Sequence, residues 1–348
     1  MTVGVAVIGL GFVGGRAHVP AIKKIPDAHL VAVIDVDRER ARTIASKYDV
    51  NYYTDYHDAL TKDGIDAVIV AVPTPHHYQI VSDAIDSEKH VLCEMPLTPT
   101  IAEAEALGIK AAKASVILMP DLNFRFTPNY VKARELIRNG AIGTPLAITY
   151  SEFIAAKDLG TQWPLTSWAW DTQRNGGGPD ATLSVWSLDL VSWILNAEIT
   201  EATWSSNYST LAGIDNFLGY NTMGLVKFSN NAVGVLHYCS TVSMGEETSS
   251  LEIYGSKLNS IKAADNNHIV LSEVGTKTEW TFREKGTKAW GHYQLDQYFV
   301  ECIVQNKNPT ITVHDAIQAQ THALQIYQRS RPQALWAIQR QSALALAS

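Results

Sequence analysis

The stretch VGVAVIGLGFVGG, residues 3–15, constrains the fold more than any other part of the 348-residue chain. Residues 3–8 are an unbroken apolar, β-rich run, and Gly9, Gly11 and Gly14 follow it at the spacing GxGxxG. A buried strand that ends in such a turn and opens a helix begins a βαβ unit. The glycines let the backbone turn tightly and approach a pyrophosphate, whose charge meets the helix N-terminus. The spacing alone recurs in many turns, but here the context completes it. Asp35 lies 21 residues beyond Gly14, at the end of a second apolar run, HLVAVIDVD (29–37). A carboxylate there accepts the ribose hydroxyls of a dinucleotide and repels a 2′-phosphate, which favours NAD; nearby Arg38 leaves NADP possible. The expected cofactor contacts in this region are Gly9, Gly11, Phe12, Val13, Gly14, Asp35, Val36 and Arg38.

The pattern continues with strand-like DAVIVAVPT (66–74), HVLCEMP (90–96) and VILMPDLN (116–123). Helix-like RERARTIASKY (38–48), HYQIVSDAI (77–85) and TIAEAEALGIKAAK (100–113) alternate with them, the last with Thr98 or Thr100 as cap and Glu103 in its first turn. Buried strands alternating with amphipathic helices predict an α/β fold with a doubly wound parallel sheet, over residues 1–123. After about residue 145 the texture changes to Thr-, Ser- and aromatic-rich strands, with Asn-Asn pairs at 230–231 and 266–267 as hairpin turns. This predicts a second α/β domain, 124–348, with a large, open, mostly antiparallel sheet. One helix, TLSVWSLDLVSWIL (182–195), interrupts it, and the C-terminal helices are free to pack back on the first domain.

A formal net charge of −7 without any run of five like charges excludes a nucleic-acid footprint. No apolar run reaches membrane-spanning length, and the N-terminus has no signal-peptide pattern. Cys93, Cys239 and Cys302 are far apart, lie among apolar neighbours and make no metal spacing, so they read as reduced core thiols. The expectation is a cytoplasmic protein with a small-molecule substrate, no membrane or nucleic-acid partner, and no metal.

GLGFVGGRAHVPAI with His18, VAVPTPHHYQI with His77, KHVLCEMPLT, NFRFTP with Arg125, GAIGTP, SWAWD, the triple glycine before LDLVSWIL and a late YQRS form a joint pattern. In these motifs the chain resembles the glucose–fructose oxidoreductase / inositol dehydrogenase / MocA family along nearly its whole length. The resemblance implies a Rossmann domain, an open-sheet domain that mediates a homodimer or homotetramer, and an active site in a cleft between them. It also adds Val72, Pro73, Thr74, His77, Glu94, Met95 and Asn123 to the expected cofactor contacts.

The departures are chemical. The resemblance places a lysine, which reaches the reacting hydroxyl, at Met95. It places aspartate, histidine and aspartate at Thr182, Trp186 and Asp189, and an arginine at Ala169. A frame starting from Asp180 would put Ser184 at the histidine position and lose Asp189, and is rejected for that reason. Thr182, Trp186 and Asp189 share one helix face by their spacing. Methionine does not titrate, an indole N–H only donates, and a threonine hydroxyl is a poor base. The usual proton relay is therefore replaced, by water, by the substrate or by another residue among His76, His77, Tyr78, Asp121, Tyr130, Asp171 and Asp189. The candidate catalytic positions are Met95, Trp186, Thr182, Asp189 and His76. Arg125, Trp168, Asp171 and Trp186 are candidate substrate contacts. Met95 and Trp186 read as an apolar wall suited to a small cyclic or partly apolar substrate. The reading is an NAD(P)-dependent oxidoreductase of the sugar/polyol dehydrogenase type. A non-redox NAD-binding sensor, and a lyase or hydrolase that recycles bound NAD, are the alternatives.

Overall fold

A computed structural model describes residues 2–164, 167–171, 178–243, 248–265, 267–283 and 290–328, without the side chains of 215 and 216. Two compact units emerge: Met1–Phe126 with Lys285–Ile317, and Thr127–Glu284 with Gln318–Ser348.

The first unit is built on six strands: β1 (Val3–Ile8), β2 (Ala28–Ile34), β3 (Asn51–Tyr53), β4 (Ala67–Val70), β5 (His90–Cys93) and β6 (Leu118–Pro120). Their order is β3-β2-β1-β4-β5-β6 and every pairing is parallel. Every residue of β1 and β4 is buried, which is why both read as continuous apolar runs rather than alternating ones. A π-helical turn, Gly14–His18, continues as Val19–Ile22; together they form α1. Helix α2 (Arg38–Tyr48) is capped by the Asp37 carboxylate, which accepts from the N–H groups of Glu39 and Arg40. Next come α3 (Tyr56–Leu60), α4 (His77–Asp86) and α5 (Ile101–Ala114). Thr100, rather than Thr98, caps α5 in a reciprocal box with Glu103. This unit also takes in the later helix His292–Val304.

The second unit contains an eight-stranded sheet formed by β7 (Pro145–Phe153), β8 (Ile199–Leu211), β9 (Ile214–Phe228), β10 (Val233–Cys239), β11 (Thr248–Gly255), β12 (Ser260–Ala264), β13 (His268–Glu273) and β14 (Thr276–Thr281). The order is β14-β13-β12-β11-β7-β10-β9-β8, antiparallel except for the parallel β7–β10 pair. Asn231, with φ 67°, turns β9 into β10, as the Asn-Asn pair predicted. Asn266 lies outside the described residues. Alternation buries Val226, Phe228 and Leu236 on one face and leaves Met223, Leu225, Val233 and Val235 on the other, all more than 40 % exposed. Among the described tryptophans, Trp170 and Trp204 are buried. Trp168 and Trp193 are only half-buried, and the Trp193 ring carries the Arg134 guanidinium 4.2 Å from its centroid. All three cysteines are free and buried. No helix among the described residues is long and apolar enough to cross a membrane.

Candidate functional site

The three glycines after β1 have three different reasons to be glycine. Gly9 has φ +92°, and a Cβ there would lie 2.4 Å from the Ala71 carbonyl oxygen. A Cβ on Gly14 would lie 1.9 Å from the Gly9 oxygen, so the helix start packs directly on the turn. A Cβ on Gly11 would meet nothing within 4 Å. Tight turn, close packing and an open approach are the requirements of a pyrophosphate cradle, so these residues fit a dinucleotide. Phe12 is exposed and Val13 half-buried, with the Phe12 ring 5.1 Å from the Arg16 guanidinium.

Asp35 follows β2, and its carboxylate is held in place before any ligand arrives. It accepts from the Leu10 N–H at 2.8 Å and the Asp37 N–H at 2.9 Å. The guanidinium beside it is Arg40 at 3.1 Å, not the Arg38 singled out from the sequence; both arginines and Val36 are exposed. An i,i+5 partner on the first turn of α2 is not obvious from spacing in an unformed helix.

At the end of β4, Val72 and Pro73 are half-buried and Thr74 is buried. His77 is buried as well, which excludes a surface position at the start of α4. Its Nδ1 lies 2.9 Å from the Pro96 carbonyl oxygen and its Nε2 2.7 Å from that of Val72, so the ring ties two loops together. Burial lowers its pKa, working against both carbonyls. His76 beside it is exposed.

The turn after β5 holds Glu94, Met95 and Pro96. Met95 is only 4 % exposed, so it is closed off rather than displayed as an open wall. The Glu94 carboxylate accepts from the Met95 N–H at 3.3 Å and faces inward, 3.2 Å from His18 Nε2 and 3.8 Å from His292 Nε2. Asp121, after β6, brings Oδ2 to 3.4 Å from the same His18 nitrogen. On its other side the His18 ring reaches Asp296 at 2.9 Å through Nδ1. Asn123 donates from Nδ2 to the Trp290 carbonyl at 3.0 Å and sits 3.3 Å from the His292 ring; its Oδ1 is buried without a hydrogen bond. Glu94 and Asn123, both expected to line the cofactor, therefore belong to a buried polar cluster.

Burial works to lower the His18 pKa, but Asp296 and Glu94 overcome it and hold the ring well above its ordinary value. Burial, then the Glu94 charge, pushes the Asp121 carboxyl well up. Burial pulls His292 down to about 4. His292 and Asp296 were not singled out from the sequence. Their i,i+4 spacing on a helix was the available signal.

Arg125 is buried and bound to Asp315 at 2.8 Å, an ion pair that gives this guanidinium a structural partner. In the second unit, Thr182 and Asp189 are buried on the helix Pro179–Leu195 and Trp186 is half-buried on the same helix. Tyr130 is buried, its hydroxyl 2.8 Å from that of Ser249. Trp168, half-buried, packs edge-on against Trp163, and Asp171 is half-buried; Gly176 and Gly177 of the triple glycine lie outside the described residues.

Residues 3–122 match the family described as "Oxidoreductase family, NAD-binding Rossmann fold", and residues 130–259 match the "GFO/IDH/MocA C-terminal domain". The chain is 30% identical over 255 residues to the myo-inositol 2-dehydrogenase of Thermotoga maritima, covering 73% of each. It is 28% identical to the uncharacterized oxidoreductase YrbE of Bacillus subtilis, covering 90% of each. A crystal structure of an oxidoreductase domain protein from Kribbella flavida shares the fold, with TM-score 0.80, 25% identity and coverage of 95% of this chain and 98% of that one. The cradle at Gly9–Gly14, the fixed carboxylate of Asp35 and the two family matches lead to one conclusion: the chain belongs to the GFO/IDH/MocA family of NAD-dependent oxidoreductases.

Proposed function

We propose that this oxidoreductase oxidises a hydroxyl of a small cyclic polyol or sugar with NAD, and that no lysine–histidine pair takes the proton. The observation that carries the reading is the pairing of an intact dinucleotide cradle with a methionine at position 95. Bound NAD supplies the hydride acceptor. The chain's own residues do the rest. The Gly9–Gly14 turn seats the pyrophosphate. Asp35, already oriented by Leu10 and Asp37, accepts the ribose hydroxyls, and its charge opposes a 2′-phosphate. His77 holds the loops of Val72 and Pro96 in register, so that the turn carrying Glu94 and Met95 keeps its shape. Thr182, Trp186 and Asp189, with Trp168 and Asp171, contribute to substrate binding. Among them Asp189 is already buried on its helix. With a thioether at position 95, the hydroxyl proton leaves to water or to a neighbouring oxygen of the substrate.

Relatives named myo-inositol 2-dehydrogenase and scyllo-inositol 2-dehydrogenase (NAD(+)) support a cyclic polyol, the latter 28% identical over 89% of the chain. The exposed apolar row on β9 and β10 supports a homodimer or homotetramer formed by the second unit's sheet. Purified protein incubated with NAD and a panel of inositols, cyclic sugars and simple alcohols is expected to produce NADH with a cyclic member and not with the simple alcohols. NAD binding without turnover across the panel would instead fit a cofactor-dependent sensor. Substrate loss without net NADH would fit a lyase or hydrolase that recycles its cofactor.

A further inference from the structure

The cluster beneath the Glu94–Met95–Pro96 turn gathers four side chains whose atoms can ligate a metal ion. His18 Nε2 or Nδ1, a Glu94 oxygen, an Asp121 oxygen and a His292 ring nitrogen all lie within 4.8 Å of one another, and all four residues are buried. The closest approaches are His18 Nε2 to Glu94 Oε1 at 3.2 Å, His18 Nε2 to Asp121 Oδ2 at 3.4 Å and His292 Nε2 to Glu94 Oε1 at 3.8 Å. These are long for charge-assisted hydrogen bonds, which run about 2.7–2.9 Å. They bracket the edge of a tetrahedron with metal–ligand bonds of about 2.1 Å, which is about 3.4 Å. The opposite nitrogen of His18 makes a conventional contact, 2.9 Å to Asp296 Oδ1. A carboxylate behind a histidine is the usual outer-shell support of a metal ligand, since it fixes the tautomer that leaves the other nitrogen free to coordinate.

Charge points the same way. Glu94, Asp121 and Asp296 bring three carboxylates, and up to three negative charges, into a buried space. Such an excess is costly away from water. A divalent cation with both histidines neutral reduces it to one, shared over three residues. Imidazole with carboxylate suits zinc better than magnesium or calcium. The Glu94 and His292 side chains retain 9% and 7% exposure whereas His18 and Asp121 have none, so the cluster opens on the Glu94–His292 side.

We propose that His18, Glu94, Asp121 and His292 form a structural site for a zinc-type divalent cation, with Asp296 orienting His18. Four protein ligands close the shell, which makes the role structural rather than catalytic. The ion would bind together the middle of α1, the ends of β5 and β6 and the helix that begins at His292. No metal was expected from the sequence because these ligands are scattered over some 270 positions and no two share a metal-site spacing. This proposal replaces that expectation, and it does not depend on the redox reading.

The test is metal content and binding on the full chain. Protein expressed with added zinc and dialysed should retain about one equivalent by elemental analysis. The metal-free form should take up Co2+ with the visible absorption of a tetrahedral site. Chelation should lower the thermal midpoint, and added Zn2+ should restore it. Asp121→Asn and His292→Gln, checked for folding by circular dichroism, should each lose the zinc equivalent. Asp296→Asn should weaken binding by roughly 10–100-fold. Wild-type protein that retains no zinc, gives no tetrahedral cobalt spectrum and shows the same midpoint with chelator and with zinc would overturn the proposal. The cluster would then be a proton-sharing network.

Discussion

The Gly9–Gly14 turn and the His18–Glu94–Asp121–His292 cluster lie in the same unit and were made in opposite ways. The turn is local: six consecutive residues whose conformation is dictated by backbone sterics, down to the 1.9 Å clash that any side chain on Gly14 would create. The cluster is assembled by topology, from a residue within α1, two strand ends and a helix that arrives only after residue 290. A site of the first kind tolerates change in its surroundings but not in its own residues. A site of the second kind depends on every element that brings it together.

That contrast can be tested by substitution. The largest effect is expected in the cluster. Asp296→Ala leaves the charge around His18 without its nearest partner, and breaking such a buried pair costs about 3–5 kcal/mol, to be read from urea denaturation. Next is the turn. Gly14→Ala forces backbone to move and should cost roughly 1–3 kcal/mol, as overpacking does, with NADH binding lost in parallel. Gly11→Ala sharpens the comparison, because its Cβ would meet open space. It should leave stability within about 0.5 kcal/mol while weakening NADH binding, as followed by cofactor fluorescence. Equal loss of stability in the two glycine variants would break the assignment of separate roles.

A smaller effect belongs to Asp315, held below the usual carboxylate range chiefly because Arg125 outweighs its burial. A depressed folded pKa stabilises above the unfolded value of about 3.9, and the contribution disappears as pH falls through the lower folded value. Asp315→Asn should therefore cost roughly 1–3 kcal/mol at neutral pH, with the difference from wild type shrinking below about pH 4. Smallest in stability is Leu225→Glu on the exposed face of the second unit's sheet, expected within about 0.5 kcal/mol. Its signature is a fall in molar mass by light scattering.

The sequence made the first unit legible because its information is periodic and local. Continuous apolar runs announced parallel strands, and the glycine spacing with Asp35 announced the cradle. Met95 and Trp186 stood out only against a family pattern. Arg40 went unnoticed because its approach to Asp35 requires the first turn of α2 to be formed. The inward turn of Glu94 and Asn123 was hidden for a related reason: His18 and His292 lie far away in sequence and reach them only in the fold. Trp168 and Trp193 are only half-buried. Large aromatic side chains are often half-buried, and Arg134 covers the ring of Trp193.

The central claim is that hydride reaches NAD without an enzyme lysine or histidine accepting the proton. It is tested most directly by single-turnover reduction of NAD with an inositol deuterated at the reacting carbon, followed across pH. The account predicts deuterium transfer to the nicotinamide at a rate that climbs with pH without a plateau near neutrality, because the thioether at position 95 cannot accept the proton. A plateau with an apparent pKa near neutrality, or binding of NAD with no transfer from any cyclic polyol, would contradict it.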